Sequence, residues 1–88
     1  MTDLGVDLAG MPLANPLMTA SGCAANGREL HRFFDIATLG AFVTKSVKAA
    51  PMSGRGTPRM AETAGGMLNS IGLQGPGIDA FVATDLPW

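Results

Sequence analysis

The sequence predicts an α/β fold, because segments of strand length alternate with segments of helical periodicity along the chain. Two short apolar segments, residues 17–20 and 41–44, have the length and composition of buried strands. The stretch between them, residues 28–39, carries the spacing of an amphipathic helix. Patterns typical of β-hairpins lie before this region, at residues 6–13, and after it, at residues 60–68. The predicted order is hairpin, strand, helix, strand, second hairpin and the start of a second helix.

Both hairpins are predicted from alternation around turn-forming residues. Residues 6–13 alternate apolar and polar side chains on each side of an Ala-Gly dipeptide. Further along, residues 60–62 and 66–68 are expected to pair around a turn at residues 63–65.

The helices are predicted from apolar spacing and from terminal residues. Four apolar side chains follow the i, i+3, i+4, i+7 spacing of one helix face: Leu30, Phe33, Phe34 and Ala37. Gly40 is expected at the C′ position, where a left-handed residue ends a helix. A second helix is predicted over residues 78–86, with Asp79 in its first turn.

Composition excludes several classes of protein. The 88 residues are 47% hydrophobic and 15% charged, which is unlike a disordered tail. The net charge of −1, without a basic cluster, argues against a nucleic-acid partner. No apolar run approaches the roughly 18 residues that a membrane span requires. A single cysteine cannot form an intrachain disulfide, so we expect a reducing, cytoplasmic location.

A loop rich in amides and glycines is the strongest candidate for ligand binding. It occupies residues 69–74 and is bracketed by turn formers at residues 65–66 and 75–77. Asn69 offers two donors and an acceptor, which suits the alternating edge of a pyrimidine or similar imide. Gly72 has no Cβ that would keep a planar ligand away from the backbone. The alternative is that the segment is only a glycine-rich connection.

The preceding loop, residues 47–58, carries several cations. Lys48 and Arg55 lie within it, and Arg59 follows directly. We interpret the cluster as a solvated loop, with attraction of an anionic substrate by its electric field as the alternative.

Four segments together resemble the dihydroorotate dehydrogenase family, and the class 1B, NAD-linked catalytic subunit is the most similar form. They are NPLMTASG at residues 15–22, TKSV at 44–47, RMAET at 59–63 and MLNSIGLQGPGI at 67–78. The resemblance extends over essentially the whole chain. It departs from the family at Gly75, where an asparagine is usual, and this leaves the loop geometry open.

The resemblance implies that the chain is the N-terminal portion of a TIM (β/α)8 barrel. Residues 1–88 would be the first part of a single FMN-binding domain whose remainder is absent, since such barrels take about 250 residues. The first hairpin would close the bottom of the barrel, and the second would lie like a lid over its mouth.

The resemblance also assigns site residues. Those implied to bind FMN are Ala20, Ser21, Gly22, Lys45 and Ser46. Those implied to bind substrate are Lys45, Asn69, Ser70, Ile71, Gly72 and Leu73. The catalytic base is expected beyond Trp88, and no metal site is expected. Without the resemblance, Lys45 would be interpreted as a lysine reaching the surface, while Cys23 is interpreted as a small packing residue because no cation adjoins it.

The implied activity is oxidation of dihydroorotate to orotate through FMN in de novo pyrimidine (UMP) biosynthesis. In that chemistry a base removes a proton from C5 and a hydride leaves C6 for the flavin. A second subunit with FAD and an iron–sulfur cluster would pass electrons to NAD, and the complete enzyme would be a homo-oligomer. The 88 residues alone are expected to be inactive.

Two alternatives remain open. One is a related FMN barrel oxidoreductase, either a class 1A dihydroorotate dehydrogenase that reduces fumarate or a dihydropyrimidine dehydrogenase. The other is a truncated, non-catalytic small protein.

Overall fold

The computed structural model describes residues 2–88, which divide into two units between Lys45 and Ser46. The first unit contains the predicted cofactor residues up to Lys45. The second contains Ser46 and the amide-rich loop.

The first unit begins with the predicted hairpin. Strand β1, Val6–Leu8, pairs antiparallel with β2, Met11–Leu13. The turn residues Ala9 and Gly10 have φ values of 52° and 90°, the left-handed values of the tight turns that suit two-residue hairpins. The Asp7 carboxylate accepts a hydrogen bond from the Gly10 amide at 2.7 Å. This prediction is confirmed.

The two predicted parallel strands are reduced to an isolated bridge. Met18 and Ala41 form an isolated parallel bridge, so the segments have the expected relative direction without forming strands. The hydroxyl of Thr19 accepts a hydrogen bond from the Val43 amide at 2.9 Å. The Thr19 side chain thus binds an amide that would bind a backbone carbonyl in a longer parallel ladder. The predicted extents of the two strands are therefore wrong.

The predicted first helix is also wrong, because it is replaced by two 3-10 turns. These are Leu30–Arg32 and Ile36–Thr38. Between them Asp35 is extended, with ψ of 109°, and its carboxylate accepts a hydrogen bond from the Ala37 amide at 3.0 Å. An aspartate that caps the following turn in this way starts a new helical segment rather than continuing the old one.

Gly40 is required for a different reason from the one predicted. It does not adopt the left-handed conformation of a C′ residue. A Cβ at this position would lie 1.9 Å from the backbone oxygen of Asn15. The Asn15 side chain accepts hydrogen bonds from the amides of Leu17 and Gly40, both at 3.0 Å, and donates one to the Thr38 carbonyl at 2.8 Å. Gly40 therefore permits close approach of two segments.

The second unit contains the other predicted hairpin. Strand β3, Met60–Thr63, pairs antiparallel with β4, Gly66–Asn69. Each strand is one residue longer than predicted, and the turn is reduced to Ala64 and Gly65. The hairpin is confirmed, with all of its strand residues exposed.

The helix near the end of the chain begins where it was predicted. Helix α1, Ile78–Ala80, continues as a π-helical segment, Phe81–Asp85, in which the Leu86 amide donates to the Phe81 carbonyl at 2.9 Å. Gly77 precedes it with φ of 88°. The helices among residues 2–88 are too short to cross a lipid bilayer.

Within residues 2–88, no hydrophobic side chain is buried. The buried residues in this range are two glycines, Gly27 and Gly77. Phe33, one of the residues on the predicted apolar helix face, has 84% of its surface exposed. Hydrogen bonds within each unit, rather than a packed core, therefore position the candidate site residues.

Candidate functional site

The predicted cofactor residues of the first unit form a tight turn. The Cys23 amide donates to the Ala20 carbonyl at 3.1 Å, which closes a four-residue turn. Gly22 occupies its third position with φ of 78°, a value that a type II turn requires and that glycine adopts without strain. Ala20, Ser21 and Gly22 are all exposed. Cys23 is also exposed, so its interpretation as a packing residue is wrong.

Lys45 lies against this turn. Its ammonium nitrogen is 3.4 Å from the position that a Cβ on Gly22 would occupy. Its backbone amide donates to the Ala25 carbonyl at 3.3 Å, and the residue is half-buried. The structure thus brings together Gly22 and Lys45, with the lysine side chain lying over the face of the glycine that carries no Cβ.

A shallow depression adjoins Gly22. Its lining is mostly apolar, and Glu29 contributes a carboxylate that was not singled out from the sequence. The lining residues are Gly22, Cys23, Ala24, Ala25, Glu29, Leu30 and Phe33. The depression offers a mainly apolar surface next to the turn.

Ser46 and Gly75 approach one another in the second unit. A Cβ on Gly75 would lie 4.0 Å from the Ser46 carbonyl oxygen, an ordinary contact. Both backbone groups of Gly75 pair with Met52, at 2.9 Å in each direction. The backbone therefore fixes this position, and the site has room for a side chain. The cofactor role of Ser46 stays a prediction.

Two of the predicted substrate residues share a second depression. Asn69 is the last residue of β4, opposite Met60, and Ser70 follows directly. The depression combines backbone, apolar and cationic groups: Pro58, Arg59, Met60, Ala61, Leu68, Asn69 and Ser70.

The last two of the predicted substrate residues have left-handed backbones. Gly72 has φ of 86° and Leu73 has φ of 55°. A residue other than glycine in this region costs on the order of 1–3 kcal/mol, and such conformations cluster at functional sites. A Cβ on Gly72 would lie 2.7 Å from the Arg55 amide nitrogen. The absent Cβ therefore admits the neighbouring loop, which corrects the expectation that it leaves space for a ligand.

Sequence reasoning missed two arginines that hold this loop. Arg55 Nη1 donates to the Ser70 hydroxyl at 2.8 Å. The Arg59 guanidinium donates through Nη1 to the Gln74 side-chain oxygen and through Nη2 to the Ser53 carbonyl at 2.9 Å. Lys48 and Arg55 are exposed, as expected for a solvated loop, and the arginines also make specific hydrogen bonds that the sequence did not indicate. Each of the two contacts between an arginine and the amide-rich loop joins residues 15 positions apart, a separation that local sequence patterns do not reveal. The feature that could have indicated these contacts was the cluster of cations that precedes the loop in the sequence.

Comparison with known proteins gives consistent matches. A family model described as dihydroorotate dehydrogenase matches residues 3–88. Three similar relatives are each named dihydroorotate dehydrogenase B (NAD(+)), catalytic subunit. The protein from Bacillus caldolyticus is 52% identical over 100% of this chain, that from Latilactobacillus sakei 53% over 99%, and that from Alkaliphilus oremlandii 55% over 96%. The chain spans 28% of the length of each of these curated relatives.

Proposed function

The chain belongs to the dihydroorotate dehydrogenase family, and from this premise we propose that it forms the N-terminal part of a class 1B catalytic subunit. That subunit oxidises dihydroorotate to orotate in de novo pyrimidine biosynthesis, and its electrons pass to NAD. The relatives, about half identical over nearly the whole chain, support the class assignment through their names. The structural observation that carries the proposal is the ammonium of Lys45 beside the Cβ-free surface of Gly22.

We propose FMN as the cofactor. A flat, electron-accepting ring is favoured by small residues along its edge and by a cation nearby, and the exposed turn at Gly22 with Lys45 beside it supports this choice. Ala20, Ser21, Gly22, Lys45 and Ser46 would hold it. When bound, FMN supplies the two-electron acceptor that no side chain provides.

Lys45 has two roles in this proposal. Its fixed positive charge stabilises negative charge that develops on the acceptor, and it attracts the carboxylate of dihydroorotate. The segment that follows the turn fixes the lysine backbone, since the Ala25 carbonyl accepts a hydrogen bond from the Lys45 amide.

The loop after β4 would bind the pyrimidine ring. Asn69 supplies donors and an acceptor from an exposed position, and the backbone of residues 71–73 supplies further polar groups. The Ser70 hydroxyl accepts from Arg55, and it retains its own proton for donation to a ligand.

The rest of the assembly follows from the same proposal. Residues 1–88 would open an FMN-binding TIM barrel, and the base that takes the C5 proton would lie outside them. The complete subunit would form a homo-oligomer and pair with a subunit that carries FAD and an iron–sulfur cluster. Co-purification from the native source tests that pairing.

Anaerobic turnover tests the activity. Dihydroorotate is added to the complete FMN-loaded subunit, and both orotate and the absorbance of oxidised flavin are followed. We expect stoichiometric orotate with loss of flavin absorbance, and sustained turnover with NAD only when the second subunit is added. Turnover with fumarate alone would indicate class 1A, and absence of orotate would refute the proposal.

A further inference from the structure

The cationic loop and the amide-rich loop are joined along their length. Met52 and Gly75 exchange two backbone hydrogen bonds of 2.9 Å. The Ser70 amide donates to the Arg59 carbonyl at 2.7 Å. Between these points, the Arg55 amide donates to the Ile71 carbonyl at 2.9 Å. Residues 52–59 therefore bind residues 70–75 near both ends of the amide-rich loop and within it.

Arg55 contacts this loop through both its backbone and its side chain. Its amide binds Ile71 and its guanidinium binds the Ser70 hydroxyl at 2.8 Å, so two successive loop residues are held by one residue. Next to them, Gly72 would place a Cβ 3.1 Å from Arg55 Cγ and 2.7 Å from its amide nitrogen. The side chain of Arg55 therefore packs directly over the point where the backbone turns left-handed.

The conformation that follows needs such support. Gly72 and Leu73 are consecutive left-handed residues, with φ of 86° and 55°. A leucine persists in this region only where its surroundings determine the backbone. Arg55 contacts the two residues that precede the left-handed pair and approaches Gly72 itself.

We propose that Arg55 is a positioning residue that holds Ser70, Ile71 and Gly72 in the shape that binds the pyrimidine. This inference rests on the proposed function, because it assumes that the loop binds dihydroorotate. Arg55 acts through Ser70 and the loop backbone, and not as a cation that attracts the substrate carboxylate from a distance.

A substitution at Lys48 distinguishes positioning of the loop from attraction of the substrate by charge. Lys48 lies in the same loop as Arg55 and carries the same charge, and its ammonium contacts the Met52 sulfur at 3.5 Å. Lys48→Ala therefore removes equal charge without removing the contact to Ser70. Arg55→Lys keeps the charge and a group that can donate a hydrogen bond but lacks the planar guanidinium, so it should restore part of the function.

The first measurement needs no substrate. In the complete FMN-loaded subunit, hydrogen exchange is followed at the Ser70 and Gly75 amides, which the neighbouring loop binds. We expect exchange about tenfold faster in Arg55→Ala, as for loss of a hydrogen bond to a charged group. Lys48→Ala should exchange at the wild-type rate. Wild-type exchange in Arg55→Ala would overturn the proposal.

The second measurement is steady-state oxidation of dihydroorotate by the same variants. We expect Arg55→Ala to raise KM about tenfold and to leave kcat nearly unchanged, since the loop binds ground state and transition state alike. Ser70→Ala added to Arg55→Ala should raise KM less than the product of the two separate effects. An equal rise in KM for Lys48→Ala, or a rise for Arg55→Ala without faster exchange, would overturn the proposal. If the wild type oxidises no dihydroorotate, the proposed function fails, and the exchange rates still decide whether Arg55 holds the loop.

Discussion

The two units join their segments by different chemical groups. In the first unit, side chains make most of the connections around the parallel bridge, with Asn15 binding three backbone groups and Thr19 binding Val43. In the second unit, backbone pairs join the two loops, and arginines add to them.

The two kinds of connection differ in the substitutions that they tolerate. Where a side chain hydrogen-bonds to the backbone of a neighbouring segment, the residue type is essential, because few other side chains place the same polar group at the same position. Backbone pairing is independent of residue type except where a Cβ would collide. The first unit should therefore be sensitive at Asn15, and both units should be sensitive at their crowded glycines.

The largest effect is expected for Gly40→Ala. The added Cβ would lie 1.9 Å from the Asn15 backbone oxygen, so the two segments must separate. We expect destabilisation of the complete subunit by about 3 kcal/mol or more, as for severe overpacking. Denaturant unfolding measures it. Gly56→Ala is the matched control, because a Cβ there meets nothing within 4 Å, and an equal loss in that variant would refute the steric account.

A smaller effect is expected for Asn15→Ala. It removes three hydrogen bonds, each worth about 1 kcal/mol net, and we expect a loss of about 2–3 kcal/mol. Asn26→Ala is the control in the same unit, because the buried Oδ1 of Asn26 has no hydrogen-bond partner among residues 2–88. The unfolding midpoints of the two variants are compared. Similar losses of stability in both would mean that the three hydrogen bonds of Asn15 do not stabilise the unit.

The smallest effect is expected for Gly75→Asn, which restores the residue usual in the family. Gly75 is not left-handed, and a Cβ there makes only an ordinary contact. Stability should change by no more than about 0.5 kcal/mol. A clear loss of stability, read from thermal unfolding of the complete subunit, would show that the Met52 pairing depends on glycine.

Local signals predicted part of the fold well. The hairpins and the start of the last helix depend on neighbouring residues, such as Ala9-Gly10 and Gly77, and these were visible in the sequence. The continuous first helix failed because apolar spacing does not reveal that the Asp35 carboxylate captures a nearby amide. The role of Gly40 depends on Asn15, 25 positions away, which no local pattern encodes.

The candidate site shows the same limit. Resemblance assigned Gly22 and Lys45, and the structure brings the two together. Arg55 was visible only as one of several cations, because its contact with Ser70 depends on how two loops meet. Long-range pairing of loops is set by tertiary structure, so the sequence alone indicated the residue types without their partners.

In the proposed site Lys45 serves both the cofactor and the substrate, whereas Asn69 serves the substrate alone. Stopped-flow reduction of the flavin by saturating dihydroorotate tests it in the complete subunit, with Lys45→Ala and Asn69→Ala compared. We predict that Lys45→Ala slows reduction by about 10²- to 10³-fold, as for loss of a group that stabilises developing charge. Asn69→Ala should mainly raise KM and affect the saturated rate less. Reduction at the wild-type rate in Lys45→Ala, together with slow reduction in Asn69→Ala, would contradict the account.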